Sequence, residues 1–515
     1  MSQGIDAYRE AARGDFTRIG PAIEALASSR SALDRGYALA LRELAAATAP
    51  ALAAPVRIDE LRADAEGARD AIGMALHHRA VARTIAFDVE GLTETDALAR
   101  ELAGSSVACR ATAELSAMAI AVLGGTAPPT IDEAAVRDAA RACDPAFAVH
   151  AEAWLALAAL DMGAADDALA RARRASRMAA TEGLLQAEYF ANLALARVRR
   201  RLGRGHLAVR ILTSLAAVVP SPWMRWVGLE RALAGAVRET PLADALARAE
   251  RGDRVGFVSS ALEVARGVAG FAPLAAELEV FVELIDPTRP PSARSSSWVH
   301  GETDVPPLGL RDPARSAMAV ACVAFGGGMS ARRIFTAGAA MLGSDAVRIA
   351  PTASAIRTHH AIARLGLAGD EGVAVRELFE AVYGFALLDP THEEVFRGLL
   401  HRVRKELGDA ATVERDGERV RVEPRVTIVV PDPRCEVALG DRILTFLAGS
   451  GGRASARSIA DALHIPLRTT QRALSELVED GACAAEPDGR RVEYIVEDTT
   501  FHEPTLHRLR GRTPG

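Results

Sequence analysis

Lysine is nearly absent. The chain has 515 residues and a single lysine, Lys405; every other cationic residue apart from histidine is arginine. A P-loop places a lysine beside phosphate-cradling glycines, a protein kinase needs a strand lysine, and a pyridoxal enzyme needs a Schiff-base lysine. Lys405 lies in Arg-Val-Arg-Lys-Glu-Leu (402–407) with no glycine-rich loop before it, so the composition speaks against all three classes. The arginine excess itself is what a GC-rich genome produces.

Aromatics are also scarce, at 4%, while alanine is roughly a fifth of the chain. Strands favour aromatic and β-branched residues and alanine is the best helix former, so the chain is expected to be mainly α. The five cysteines (Cys109, Cys143, Cys322, Cys435 and Cys483) are scattered without a C-x-x-C. That speaks against a zinc ribbon or a disulfide framework and suits buried thiols in a reducing cytoplasm. The N-terminus lacks a signal peptide's apolar core, and no uncharged apolar run approaches the ~20 residues that span a bilayer. A cytoplasmic protein without membrane contact is therefore expected. Net charge is -6, so DNA contact would have to come from a local cationic patch.

Residues 1–285 read as consecutive helices. Asp59 onward, Glu94 to Leu102 and Ile131 to Ala142 carry apolar residues at three- and four-residue spacing. In the clearest stretch Trp154, Leu157 and Leu160 form one stripe, Met162-Gly163 a turn, and Ala168-Leu169-Ala172 the start of the next helix. About 40 residues on, Leu195 and Val198 lead to Leu202-Gly203 and then Ala208-Val209, which makes Gly163 equivalent to Gly203 and Ala168 to Ala208. This loosely resembles the tetratricopeptide class of helical-hairpin repeats, although the period is longer and the full consensus is missing. An irregular helical bundle stays open as the alternative. Either could offer a groove to a protein or peptide partner, and neither implies catalysis.

Residues 286–315, rich in Pro and Ser, read as a linker. After it, short strands are expected at 333–336 and 347–349, and helices at about 353–365, 374–383 and 391–407. Residues 412–422, with Asp416-Gly417 between alternating apolar and charged residues, read as a hairpin. A second unit holds helices at 441–448, 456–463 and 467–480, then strands at 482–485 and 492–496 around Pro487-Asp488-Gly489-Arg490. Three helices followed by a hairpin is the order of a winged helix-turn-helix, whose third helix can enter a DNA major groove.

The second unit (441–497) resembles the winged helices of MarR and GntR regulators, through Ser455-Ala456-Arg457-Ser458-Ile459-Ala460-Asp461-Ala462-Leu463 and Leu467-Arg468-Thr469-Thr470-Gln471-Arg472-Ala473-Leu474-Ser475-Glu476-Leu477. Ile459, Leu463, Thr470, Ala473, Leu474, Leu477 and Val478 are its expected core. The resemblance implies that Arg468, Thr469, Gln471, Arg472 and Ser475 face bases and phosphates, with wing residues Arg490 and Arg491 on phosphate. The first unit (333–423) resembles the OmpR-like winged helix, through Val375-Arg376-Glu377-Leu378-Phe379-Glu380-Ala381-Val382-Tyr383-Gly384 and Val403-Arg404-Lys405-Glu406-Leu407-Gly408. There Val395, Leu399, Val403 and Leu407 are expected to face inward. Arg397, His401 and Arg404 form the groove-facing stripe, with Lys405 and the hairpin's Arg415 and Arg419 beside it. The family's usual Trp is Tyr383, and no receiver domain precedes this unit, so activation by aspartate phosphorylation is not implied.

The expected architecture is thus mainly α: a helical-hairpin array (1–285), a linker (286–315) and two α+β winged-helix domains (316–430 and 431–515). The expected function is a non-enzymatic, DNA-binding transcription regulator of bacterial type. It would need no cofactor or metal, bind double-stranded DNA, be compatible with a homodimer, and sense or recruit a protein partner through the helical half. The competing reading is a scaffold whose winged helices bind protein, because residues 351–515 hold about 22 Arg/Lys against about 26 Asp/Glu. Gly326-Gly327-Gly328 reads as a plain loop, and His77-His78 and His359-His360 lack the i, i+4 spacing of a metal pair. The tail at 497–505 reads as an ordered extension that lays Phe501 on the wing.

Overall fold

Alanine-rich helices dominate the computed structural model, which describes residues 3–236, 240–313, 321–388, 390–435, 439–450, 452–463, 465–479, 482–488 and 491–495. The helical part contains α1 (Gln3–Ala12), α2 (Ile19–Ala27), α3 (Ala32–Thr48), α4 (Ile58–Ala63), α5 (Arg69–Ile85), α6 (Val89–Leu102), α7 (Val107–Gly124) and α8 (Glu133–Ala142). It continues with α9 (Ala146–Asp161), α10 (Ala165–Glu182), α11 (Leu185–Arg201), α12 (Gly205–Ala216), α13 (Ser221–Leu233), α14 (Ala243–Glu250), α15 (Arg254–Gly267) and α16 (Ala272–Ile285).

These helices form a helical-hairpin array in two layers. In one, α3, α5, α7, α9 and α11 pack successively side by side; in the other, α6, α8 and α10 each bridge two of them. The hairpin turns explain the 40-residue period. The N–H of Gly163 donates to Leu160 O and that of Ala164 to Ala159 O, while Gly203 and Arg204 repeat this pattern onto Arg200 O and Arg199 O. This is a Schellman cap, whose glycine must adopt the left-handed region; Gly163 and Gly203 do so at φ 80° and 77°. Ala168 and Ala208, equivalent across the repeat, are both fully buried. α7 is long and apolar enough to cross a membrane by length and composition, yet 67% of it is buried here among helices, and it carries Arg110 and Glu114.

The interior of this unit is partly polar. Tyr8 on α1 hydrogen-bonds both His78 Nε2 and Asp144, and His78 Nδ1 lies 2.6 Å from Gln186 Oε1 on α11. The neighbouring His77 Nε2 lies 2.7 Å from His150 Nδ1 on α9. All of these residues are buried, Phe147 and Phe190 pack on the imidazole rings, and Arg197 and Arg200 share the buried carboxylate of Glu230.

Packing separates residues up to Arg231, together with Arg266–Ala276, from a second unit formed by Ala232–Ala265 and the described residues from Glu277 to Ile495. The division therefore does not fall in the Pro/Ser-rich 286–315 segment. That segment is not an open connector. Its described part, 286–313, is folded into the second unit, where α17 (Ser296–Val299) buries Trp298 against Phe335. An aperiodic chain leaves its carbonyls without partners, and two adjacent strand arginines supply the donors. Arg332 donates to Pro287 O and Glu283 O, and the fully buried Arg333 to Trp298 O, Thr303 O and Asp432.

Those arginines lie on β2 (Met329–Phe335), paired antiparallel to β1 (Ala321–Gly326), a strand the sequence reading did not anticipate. β1 is buried along nearly its whole length and shows no alternation. With β3 (Val347–Arg348) and β7 (Ile428–Pro431) it makes a sheet in the order β2-β1-β7-β3. The triple glycine is the β1–β2 turn. All three have positive φ, and a Cβ on Gly326 would meet Pro424 and Val426 O at 2.5 Å.

Two small α+β domains follow, each with the same topology. The first has α18 (Ile356–Ala368), β4 (Val373–Ala374), α19 (Val375–Tyr383), α20 (Glu393–Leu407), β5 (Ala411–Asp416) and β6 (Arg419–Pro424), with sheet order β4-β6-β5. The second has α21 (Leu439–Gly449), β8 (Arg453–Ser455), α22 (Ala456–Leu463), α23 (Leu467–Glu479), β9 (Ala484–Asp488) and β10 (Arg491–Ile495), with sheet order β8-β10-β9. The first shares one apolar core with Val323 and Phe325 of β1 and Ile428 and Val430 of β7, and the second has a core of its own. This is the winged-helix arrangement: the last hairpin is tied to a short strand between the first two helices. The 497–505 tail lies outside the described residues.

The buried imidazoles give the helical unit an acid limit. Burial pushes His77 well below the ordinary histidine value, lowers His78, and brings His150 down to about 3. A folded-state value below the unfolded one, about 6.5, gives stability that is complete above that pH and drains away as pH falls toward the folded value. Melting of the full chain followed by circular dichroism should therefore drop between about pH 7.5 and pH 5, and a His77→Asn/His150→Asn variant should show a shallower drop. An identical pH slope in that variant contradicts the assignment.

Candidate nucleic-acid interface

The third helix of each domain has a single apolar stripe, and burial of that stripe decides what stays outside. In α20 the stripe is Phe396, Leu399, Leu400, Val403 and Leu407, all 3% exposed or less. Val395, expected inside, is 45% exposed. Leu399, Val403 and Leu407 are inside as expected, so the phase of the helix is kept, and at its N-terminal end the bulkier Phe396 rather than Val395 completes the buried stripe. Arg397, His401, Arg404 and Lys405 all remain exposed.

Exposure does not make these cations equally available. Arg397 Nε lies 3.5 Å from Glu393 but is itself 71% exposed. Arg404 Nε donates to Val413 O of the hairpin. Arg415 donates to both Glu393 oxygens, at 2.7 and 3.4 Å, and its guanidinium lies 5.4 Å over the Phe396 ring. That hydrogen bond holds the Glu393 carboxyl below the usual carboxylate range. Arg419 donates to Glu371 O and Gly372 O. The hairpin arginines thus anchor the hairpin to the helices. Among the described residues His401 and Lys405 have no ion pair, so the free cationic groups concentrate toward the middle and C-terminal end of α20.

In α23, Thr470, Ala473 and Leu474 are buried, Leu477 and Val478 are half-buried against the core, and on the facing helix Ile459 is buried and Leu463 half-buried. Arg468, Thr469, Gln471, Arg472 and Ser475 are exposed. Arg468 has no ion pair among the described residues, whereas Arg472 Nε lies 3.0 Å from Glu476, one turn on. Ser475 turns its hydroxyl back to Gln471 O. In the hairpin, Arg491 pairs with Asp488 through the strand register, and Arg490 lies outside the described residues.

Several groups escaped the sequence reading. Arg402 is exposed on α20, its guanidinium 3.5 Å from the Tyr383 hydroxyl. Arg453 on β8 pairs with Glu486 and Glu493. Arg457 is exposed at the start of α22. The Glu393–Arg397 and Arg472–Glu476 pairs were legible as i, i+4 spacings, but the Arg415–Glu393 pair joins residues 22 apart and no local pattern announces it.

Chemically, α20 presents guanidinium, imidazole and ammonium donors on its exposed face, and α23 presents guanidinium, amide and hydroxyl donors on its own. That suits multipoint hydrogen bonding to a large anionic surface. Among the described residues no group of three or more His, Cys, Asp or Glu is placed to share a metal ion. No protein-family model, no curated protein and no solved structure matches the chain.

The orientation of α20 is open to a direct test. Leu399→Ala should cost the first winged-helix domain about 2–5 kcal/mol, and Lys405→Ala about 0.5 kcal/mol or less. Urea unfolding of the full chain measures both, and comparable losses contradict the assigned faces.

Proposed function

We propose that this chain is a DNA-binding transcription regulator. The observation that carries the proposal is the repetition, in two consecutive domains, of one α-β-α-α-β-β topology with a third helix whose exposed face bears hydrogen-bond donors. A helix of this diameter fits the major groove, where Arg matches guanine and Gln matches adenine in bidentate fashion. On α23 these roles fall to Arg468, Arg472 and Gln471, with Thr469 and Ser475 on neighbouring bases or phosphates. On α20, Arg397, His401 and Lys405 face the duplex, and Arg404, Arg415 and Arg419 support the hairpin, whose backbone and tip meet sugar-phosphate. The helical-hairpin array receives a protein or peptide partner. The activity is binding, with no covalent step.

A protein-binding scaffold is the second reading. It draws on the carboxylates of both faces: Glu393 holds Arg415 and Arg397, Glu476 holds Arg472, and Glu479 is exposed nearby. Phosphate attraction supplies much of DNA affinity, so these carboxylates weaken a single protomer's grip.

Gel retardation and anisotropy with the full chain and duplex DNA separate the two. DNA binding should weaken steeply with salt, and Arg468→Ala/Arg472→Ala should cost about 1–3 kcal/mol for each base edge that is no longer read. Lys405→Ala should lower the salt slope by about 1 without changing sequence preference. Unchanged binding in the double variant removes α23 from the interface, and no retardation at low salt leaves the scaffold.

A further inference from the structure

The helical unit contains a cavity of about 360 Å³ between α8 and α10, above the start of α9. Its size is at the low end of the roughly 300–1,000 Å³ typical of small-ligand pockets. The floor is apolar: Ala140, Ala148, Val149 and Met178 line it. These side chains offer no conventional hydrogen bond, so whatever fills the floor contributes apolar surface.

The polar groups lie on one wall, and their charges are unequal. Arg174 and Arg177 project from consecutive turns of α10. Arg174 bonds Glu152 at 3.0 Å, and Arg171 reaches the same carboxylate at 3.4 Å. Two guanidiniums thus share that carboxylate, although Arg171 also pairs with Asp167. Arg177 is exposed and has no ion pair among the described residues. Glu182 lines the same cavity one turn further along α10. A free guanidinium beside an apolar floor selects an anionic head on an apolar body. The carboxylate a turn away repels a second negative charge and so disfavours dianions. A carboxylate head also matches the fork of a guanidinium in bidentate fashion.

We propose that this cavity binds a small amphiphilic monocarboxylate, its head on Arg177 and its hydrocarbon on Ala140, Ala148 and Met178. The site does not depend on how the winged-helix domains act.

Isothermal titration of the full chain with octanoate tests it, with 1-octanol and inorganic phosphate as comparison probes. Octanoate should bind saturably at one site below ~1 mM, and each comparison probe at least about tenfold more weakly. Arg177→Gln, at an exposed position that should leave folding intact, should weaken octanoate by about tenfold. Ala148→Leu, which fills the floor, should weaken it with the helical circular dichroism unchanged; if that variant loses helicity, the Arg177→Gln result decides. Three outcomes overturn the proposal: no saturable octanoate heat up to ~10 mM, octanol binding as tightly as octanoate, or an Arg177→Gln variant that binds like the parent.

Discussion

A helix packed against two others by a single apolar stripe has no freedom over the residues it leaves outside. In α20 the burial of Phe396, Leu399, Leu400, Val403 and Leu407 fixes the rotation, and Arg397, His401 and Lys405 are outside as a consequence. The same holds for α23, where Thr470, Ala473 and Leu474 set the phase. The core carries most of the energy, because each buried aliphatic side chain is worth roughly 1.5–3 kcal/mol and an exposed ion pair far less. The outward faces can therefore be altered at little cost in stability, which is the condition for a recognition surface whose specificity can change while its fold persists.

On those faces attraction and repulsion are nearly balanced. Glu393 is pinned by Arg415 and faces Arg397; Glu476 shares Arg472. The Arg472–Glu476 pair costs little to open, since both partners are largely hydrated and screened within about 8–10 Å at physiological salt, whereas the Glu393–Arg415 pair is more shielded. A duplex that supplies a better-placed acceptor can take the arginine, and the released carboxylate then meets either a cytosine amino group, which it accepts from, or a phosphate, which it repels. If DNA is the partner, carboxylates in these positions would lower affinity for DNA in general more than for a matching sequence. Two linked domains would then recover affinity, because the second would bind at the effective concentration set by the first.

Much of the local structure was legible because its causes are local. The Leu202-Gly203 and Met162-Gly163 turns were visible as glycines ending apolar periods, and the helix at 456–463 has the limits its periodicity implied. The Asp416-Gly417 hairpin formed where expected, with Gly417 at φ 58°. What could not be read was set by partners distant in sequence. Strand Ala321–Gly326 has no alternation because both its faces are buried, Val323 and Phe325 in one apolar cluster and Cys322 and Ala324 in another. The 286–313 stretch looks like a linker until Arg332 and Arg333 are seen donating to its carbonyls from 30–50 residues away. On α20 and α23 the expected outward positions are exposed, but Val395, expected inside, is exposed and Phe396 is buried instead. The anchoring of Arg415 and Arg419 was invisible for the same long-range reason.

The helical unit poses the opposite problem. Alanine packs closely, but it has no shape with which to distinguish one register from its neighbour, and a small slide between alanine-lined helices gives up little packing. Directional bonds penalise such a slide, because a buried donor or acceptor left without its partner costs about 1–3 kcal/mol. The Tyr8, His78, Asp144 and Gln186 group joins α1, α5, the turn before α9 and α11 at a single point, and His77 with His150 joins α5 to α9. A one-residue slip of α1 or α5 breaks several of these bonds at once, and a slip of α9 or α11 breaks at least one. The polar interior that makes the unit sensitive to acid thus also fixes the register of its helices, and the two properties cannot be separated by substituting one residue at a time.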